Sequence, residues 1–374
     1  MKFSIEKSEF LKGLGRIQAI VEKRTSMPIL ANVLLEATEK GEEGEIQLAA
    51  TDLEVGIRGT HQASVEETGG LTVLAKKLFE IIRELPDETV HLSTTQNSYL
   101  GIECGRSKFT LAGTPTEEYP TLPNFDAKKT VPIQTGVLGS MIERTLYAAS
   151  MDETRYNLNG VYLEVLKETG RIRMVATDGH RLSLIERTPG EDLSSLGDGV
   201  IIPRKGLSEL KRLVDEDGSD EIELAFEANH GLARRGRVTL SIRLIEGEFP
   251  NYDQVIPTEL NRRIKLPCDT LIQALRRVAL LSSERSRAVK LEISDGKLAI
   301  SSNNPDLGDA HEEIDIDFSG ETLSIGFNAR YLLDALGSMR AKEVFLGLQD
   351  ELSPAKILPT DDEDSFAVVM PMRI

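Results

Sequence analysis

The feature that most constrains this chain is a weak internal repeat. A Thr-Asp pair closes an alternating apolar strand at Ile46-Gln47-Leu48-Ala49-Ala50-Thr51-Asp52. The same pattern returns at Ile172-Arg173-Met174-Val175-Ala176-Thr177-Asp178, with Thr51 and Thr177 lying 126 positions apart. A third run, Leu298-Ala299-Ile300-Ser301-Ser302-Asn303-Asn304, follows a hairpin signal at Asp295-Gly296. In a chain of 374 residues this spacing predicts three copies of one unit. The length is also too great for a single core.

Each copy opens on an amphipathic helix. Apolar residues recur at spacings of three and four along Phe10, Leu14, Ile17 and Val21, then along Leu138, Met141, Ile142, Thr145 and Leu146. The third helix carries Leu271, Leu275, Val278 and Leu281, with an expected N-cap at Asp269 or Thr270. A strand follows each, at Asn32–Glu36, Gly160–Glu164 and Ala288–Glu292. A second helix comes later, at Lys76–Ile82, Arg204–Leu210 and Ala329–Ala335. Two Pro-bearing connectors, Glu118-Tyr119-Pro120 and Glu248-Phe249-Pro250, suggest boundaries near 126 and 257. The expected domains are therefore 1–126, 127–257 and 258–374. Each is an α+β unit of about eight short strands with a helix pair covering one face of an antiparallel sheet.

Composition matters for what the units could bind. The formal net charge is −17, which by itself argues against a polyanion partner. The charge is nevertheless sorted. The six helical segments together carry +10, which leaves −27 on the remainder. If those helices share one surface, an acidic body presents a basic face suited to weak, non-specific and salt-sensitive contact with DNA. Solvated Lys and Arg on helix faces are the ordinary alternative. No segment resembles a base-reading helix or an aromatic stacking platform. No run approaches the roughly 20 apolar residues of a membrane span. The start of the chain has no signal-peptide core. Cys104 and Cys268 fall in no metal spacing and are expected as buried thiols in a reducing cytoplasm.

Catalytic signatures are absent. The chain has no GxSxG, HExxH, P-loop or strand-following GxGxxG motif, and Gly13-Leu14-Gly15 falls inside a helix. Asp178 and His180 could suggest a general base, but no nucleophile accompanies them. A tight turn in which Asp178 bonds local amides accounts for them, since Thr51-Asp52 recurs without the histidine. No metal site and no cofactor is expected. A peptide-binding scaffold without a DNA role, and a hydrolase built on His180, are the two competing classes.

Several motifs go further. Arg155-Tyr156-Asn157-Leu158-Asn159-Gly160, Thr177-Asp178-Gly179-His180-Arg181-Leu182, Val200–Gly206 and the terminal Val368-Val369-Met370-Pro371-Met372-Arg373-Ile374 are in the order found in bacterial DNA sliding clamps. Met1-Lys2-Phe3 and Met27-Pro28-Ile29-Leu30 add to the likeness. The chain thus resembles the β subunit of DNA polymerase III along its whole length. The resemblance implies a non-catalytic processivity factor whose three clamp domains pair head to tail with a second copy, making a ring around duplex DNA with the helices lining the hole. It implies a pocket for short linear peptides of the replicative polymerase, the clamp loader and repair or translesion polymerases. The matching pocket residues are Leu158, Thr177, Gly179, His180, Arg181, Leu182, Pro250, Val255, Leu352, Pro354, Val368, Val369, Met370, Pro371, Met372 and Arg373. Pliable Met and apolar Leu, Val and Pro suit a groove that accepts several peptides. Matching DNA contacts are Arg24, Lys205, Arg155 and Tyr156, and matching dimer contacts are Phe109 and Leu111 against Leu280 and Leu281.

Overall fold

The computed structural model describes residues 1–21, 27–40, 43–95, 97–123, 130–190, 193–197 and 199–373. Copy one contains β1 (Lys2–Glu6), α1 (Lys7–Ile20), β2 (Asn32–Lys40), β3 (Glu43–Thr51), β4 (Val55–Glu67), β5 (Gly69–Leu74), α2 (Ala75–Glu84), β6 (Thr89–Thr94), β7 (Tyr99–Cys104) and β8 (Ser107–Thr114). Copy two contains β9 (Val131–Gln134), α3 (Thr135–Thr145), β10 (Gly160–Leu166), β11 (Arg171–Thr177), β12 (Arg181–Arg187), β13 (Gly199–Pro203), α4 (Arg204–Asp215), β14 (Glu221–Glu227), β15 (His230–Arg235) and β16 (Val238–Arg243). Copy three contains β17 (Arg262–Pro267), α5 (Cys268–Ala279), β18 (Ala288–Ser294), β19 (Lys297–Asn304), β20 (Gly308–Asp315), β21 (Leu323–Asn328), α6 (Ala329–Met339), β22 (Glu343–Leu348), β23 (Ala355–Pro359) and β24 (Ser365–Val369).

The helices form where the spacing placed them, because each buries one stripe. Phe10, Leu14 and Ile17 of α1 are buried, as are Leu207, Leu210 and Leu213 of α4 and Leu332, Leu336 and Met339 of α6. Four expected ends differ, the first being Leu146, which begins a 3-10 turn after α3. Val21 is the extended C-cap of α1, and Leu281 lies beyond the end of α5. The N-cap of α5 is Pro267, two or three residues before the expected Asp269 or Thr270. There β17 runs straight into the helix, and the Cys268 amide is taken by the Lys342 carbonyl at 2.9 Å, so no side-chain cap is needed. Both cysteines are free and buried.

Every copy divides its strands in the same way. Four form a half-sheet in the order β1-β6-β7-β8, β9-β14-β15-β16 or β17-β22-β23-β24. The other four form β5-β2-β3-β4, β13-β10-β11-β12 or β21-β18-β19-β20. The half-sheets then join across copies. β4 pairs with β16, from Val238 opposite Gly59 to Ile242 opposite Val55, and β12 pairs with β24, from Arg181 opposite Val369 to Ile185 opposite Ser365. Inside copy one β8 also meets β5 and β1 also pairs with β4, so a 12-stranded and an 8-stranded sheet result, with a separate 4-stranded sheet that ends on β20.

Copy two is therefore divided. One compact unit holds Met1–Thr135, Ser194–Leu196 and Lys205–Leu244; the other holds Gly136–Leu193, Gly197–Arg204 and Ile245–Ile374. The compact units do not follow the repeat, since strand pairing runs through it. No helix among the described residues is long and apolar enough to cross a membrane.

Candidate peptide-docking site at the chain end

The pairing of β12 with β24 brings the Thr177–Arg181 turn beside the chain end. Thr177 Oγ1 donates to the Arg181 carbonyl at 2.7 Å and accepts from the Gly179 amide at 3.1 Å. Asp178 Oδ1 accepts from the amides of His180 and Arg181, both at 3.0 Å. Gly179 holds φ 86°, a left-handed conformation that favours glycine. The carboxylate is thus committed to the turn, as the sequence suggested. The Met370 amide donates to the His180 carbonyl at 2.9 Å, and the Met372 amide to the Gly326 carbonyl at 2.8 Å. These two bonds pin the last residues across the turn and β21.

Strand alternation sorts the expected pocket residues between two faces. Leu182 and Val368 sit opposite each other and form a buried apolar cluster with Val175, Leu184 and Tyr252, edged by Tyr162, Phe249, Ile256 and Phe366. The rings of Tyr162 and Phe249 stack at 5.2 Å. Tyr252 is fixed by its hydroxyl, which donates to Glu164 at 2.7 Å and accepts from Arg173 at 2.8 Å. Burial first, and then the bond to Glu164, push that hydroxyl well above its ordinary pKa. Val369 points the other way, fully buried in the copy-three core. Its alternation with Val368 puts the two expected pocket valines on opposite faces, and both are buried.

A cavity of about 790 Å³ opens beside the chain end, lined by Leu352, Met370, Pro371, Met372 and Arg373 of the expected set. Lys290, Ser324, Ile325, Gly326 and Glu351 complete it, and none of these was expected. Leu352 is 69% exposed, held on an Asx turn by its amide bond to Asp350 Oδ1 at 2.9 Å. Leu158, Thr177, Gly179, Pro250, Val255 and Pro354 do not line this cavity. Leu158 ends a 3-10 turn tied to the Pro-bearing connector by Asn157 Nδ2, which donates to the Glu248 carbonyl at 3.0 Å. Pro250 and Val255 are exposed on that connector, Val255 closing a short 3-10 turn next to Tyr252.

Arg181 has a different task from the one expected. Its guanidinium donates to Asp334 Oδ2 at 2.6 Å, Asp178 Oδ2 at 3.1 Å and the Tyr147 carbonyl at 2.7 Å. It also lies over the rings of Tyr147 and Tyr331, at 5.3 and 4.7 Å. With its side chain 10% exposed, Arg181 anchors the turn to α6 and is not presented to a ligand. His180 is exposed and stacks on Tyr331 at 6.2 Å; neither Tyr331 nor Asp334 was singled out from the sequence. No group of three His, Cys, Asp or Glu among the described residues is arranged to hold a metal.

The expected DNA contacts fare unevenly. Arg24 lies outside the described residues. Lys205 is 2.5 Å from Asp52, whose carboxylate is almost fully buried, so neutralising that acid is its first role. Arg155 donates to the Asp178 carbonyl at 2.8 Å, and Tyr156 is exposed beside it. Many helical cations have acidic partners, including Arg16 with Glu216, Lys211 with Asp215 and Arg277 with Glu312. The basic face counted along the sequence is therefore partly neutralised. Of the expected dimer contacts, Phe109 and Leu280 are 41% and 77% exposed, while Leu111 and Leu281 are half-buried.

Comparison with known proteins gives one consistent answer. Models of the N-terminal, central and C-terminal domains of the DNA polymerase III beta subunit match residues 1–123, 132–251 and 253–373. The beta sliding clamp of Caulobacter vibrioides is 36% identical, with both chains covered completely. The crystal structure of the DNA polymerase III subunit beta from Pseudomonas aeruginosa is 37% identical and superposes with a TM-score of 0.93 over all of both chains. A sliding clamp from the same organism, bound to griselimycin, is 36% identical with a TM-score of 0.93 and the same full coverage.

Proposed function

We infer the function from one premise: the chain belongs to the DNA polymerase III beta subunit family, the bacterial sliding clamps. It is a non-catalytic processivity factor, built from three tandem clamp domains that we divide near residues 126 and 257. Its proposed working form is a head-to-tail dimer that encircles duplex DNA and tethers a polymerase.

One observation carries the ring. The last strand of one half-sheet pairs with the last strand of the next copy's other half-sheet, β4 with β16 and β12 with β24. By the same rule β20 needs a β8. Among the described residues β8 meets β5 only through Gly113 and Thr114, which leaves Ser107 to Ala112 open on that side, and β20 pairs with β19 alone. Open edges are templates for pairing. A second chain supplies the missing β8, and a heterologous contact that repeats once closes the assembly. Phe109 and Leu111 on β8, and Leu280 and Leu281 after α5, supply apolar surface at that seam. DNA is then held by enclosure, with Arg155, Tyr156, Arg24 and Lys205 as weak phosphate contacts. The chain-end cavity and the Leu182–Val368 cluster take short linear peptides from the replicative polymerase, clamp loader and repair polymerases.

Sedimentation velocity combined with retention on DNA tests this reading. The wild type should sediment as a dimer and, once loaded, stay on nicked circular DNA but leave after linearisation. Leu280→Glu should yield a monomer that no longer stimulates a polymerase on primed circles. A wild type that remains monomeric at micromolar concentration, or one retained equally on linear DNA, would refute the ring. A His180→Ala protein that keeps all activity would set aside a hydrolase.

A further inference from the structure

The frame that carries the chain-end site occurs once more, where β4 meets β16. Thr51 Oγ1 donates to the Val55 carbonyl at 3.0 Å and accepts from the Leu53 amide at 3.0 Å. Asp52 Oδ1 accepts from the amides of Glu54 and Val55 at 2.9 and 2.7 Å. The Arg243 amide donates to the Glu54 carbonyl at 2.7 Å, in the place where Met370 bonds His180. A Pro-bearing connector again runs alongside. A groove of about 640 Å³ opens at this junction, lined by Leu53, Pro120, Leu122, Pro123, His230 and Arg243 among others.

The groove differs from its counterpart in ways that name an occupant. Leu182 is replaced by Gly56, and Leu122 of the connector fills the space: a Cβ on Gly56 would fall 2.4 Å from Leu122 Cδ2. The wall is thus apolar but contributed by the connector. Leu53 stands where Gly179 stands in the other turn; it holds φ 77° and is 48% exposed. A leucine held both strained and in water is a ligand contact more readily than a structural residue. Arg243 and His230 are cross-strand neighbours, and neither side chain has an ion pair among the described residues. In a chain of net charge −17, the exposed Arg243 guanidinium set into an apolar groove selects for a carboxylate.

We propose that this groove is a second docking site, independent of the chain-end cavity, for an extended peptide that lays an aliphatic side chain against Leu53 and Leu122 and pairs an acidic residue with Arg243. Its volume is within the range of ligand sites, roughly 300–1,000 Å³.

The test is selection from a random heptapeptide phage library on the full-length protein carrying Met372→Glu, which closes the chain-end cavity to apolar peptides. Recovered sequences should place Asp or Glu beside an aliphatic residue. Their synthetic versions, followed by fluorescence anisotropy, should bind at least tenfold more weakly to protein that also carries Arg243→Glu, and at least threefold more weakly with Leu53→Ser. Both side chains are exposed, so melting should not change; if Arg243→Glu does lower it, Arg243→Ser replaces it in the same comparison. Recovery of no peptide, as when another segment or a second copy of the chain already fills the groove, overturns the proposal. So does equal binding to the Arg243 variant.

Discussion

The turns Thr51–Val55 and Thr177–Arg181 have the same hydrogen-bonded frame and opposite decoration. In both, a threonine hydroxyl and an aspartate carboxylate satisfy four main-chain groups, and the following strand pairs with the next copy. In the first turn the position after aspartate is Leu53, strained and exposed; in the second it is Gly179, at ease in the same conformation. The first turn then places a buried Val55 where the second places Arg181 with its three acceptors and two aromatic rings. Asp52 takes its charge compensation from Lys205, whereas Asp178 takes it from Arg181. The frame is a solution to joining half-sheets, and the side chains mounted on it set the character of the groove at each junction.

The largest break in this symmetry should come from Arg181→Ala. It leaves Asp178 without its charged partner in a poorly hydrated place and Asp334 with only Arg330 at 3.8 Å, at a cost of about 3 kcal/mol in urea unfolding. An equal stability in variant and wild type would deny Arg181 its anchoring role. Gly179→Leu imposes on the second turn what the first tolerates, and should cost about 1–2 kcal/mol. The near atom at that position is the movable Arg155 guanidinium, so backbone strain dominates. Thr51→Val and Thr177→Val each remove one hydroxyl that both donates and accepts. Each should cost about 1 kcal/mol, and equal losses would mean that the frames are energetically equivalent. The smallest change should be Leu53→Gly. Relief of strain and added unfolded-state entropy oppose each other, leaving the midpoint within about 0.5 kcal/mol of wild type.

Helices were legible in the sequence because their burial stripes recur every three or four residues, and all six fall on the expected segments. Their ends were less so: Val21 and Leu281 continue the periodic pattern but turn extended or leave the helix, since periodicity cannot register where a chain is pulled into the next strand. The joining of β4 to β16 and of β12 to β24 was not legible. Alternation tells which face of a strand is buried and is silent about which neighbour it bonds. At the chain end, Leu352 and Met370 to Arg373, which the resemblance implied as peptide-pocket residues, line one cavity. The resemblance could not separate Val368 from Val369, which needs the register, or recognise Arg181 as an anchor, because Asp334 and Tyr147 are remote in sequence. Tyr252 and Phe249 could have been found, since each is an aromatic in a connector that otherwise has no reason to carry one.

The division of copy two between two sheets has a consequence for how the chain comes apart. Segments cut out at the repeat boundaries would each expose raw strand edges, and the middle one would lose the partners of β16 and β12 together. Amide-exchange protection should therefore collapse in blocks that straddle copies, with residues 205–244 following copy one and residues 136–193 following copy three. The unit that repeats along the sequence and the unit expected to open together are offset by half a domain.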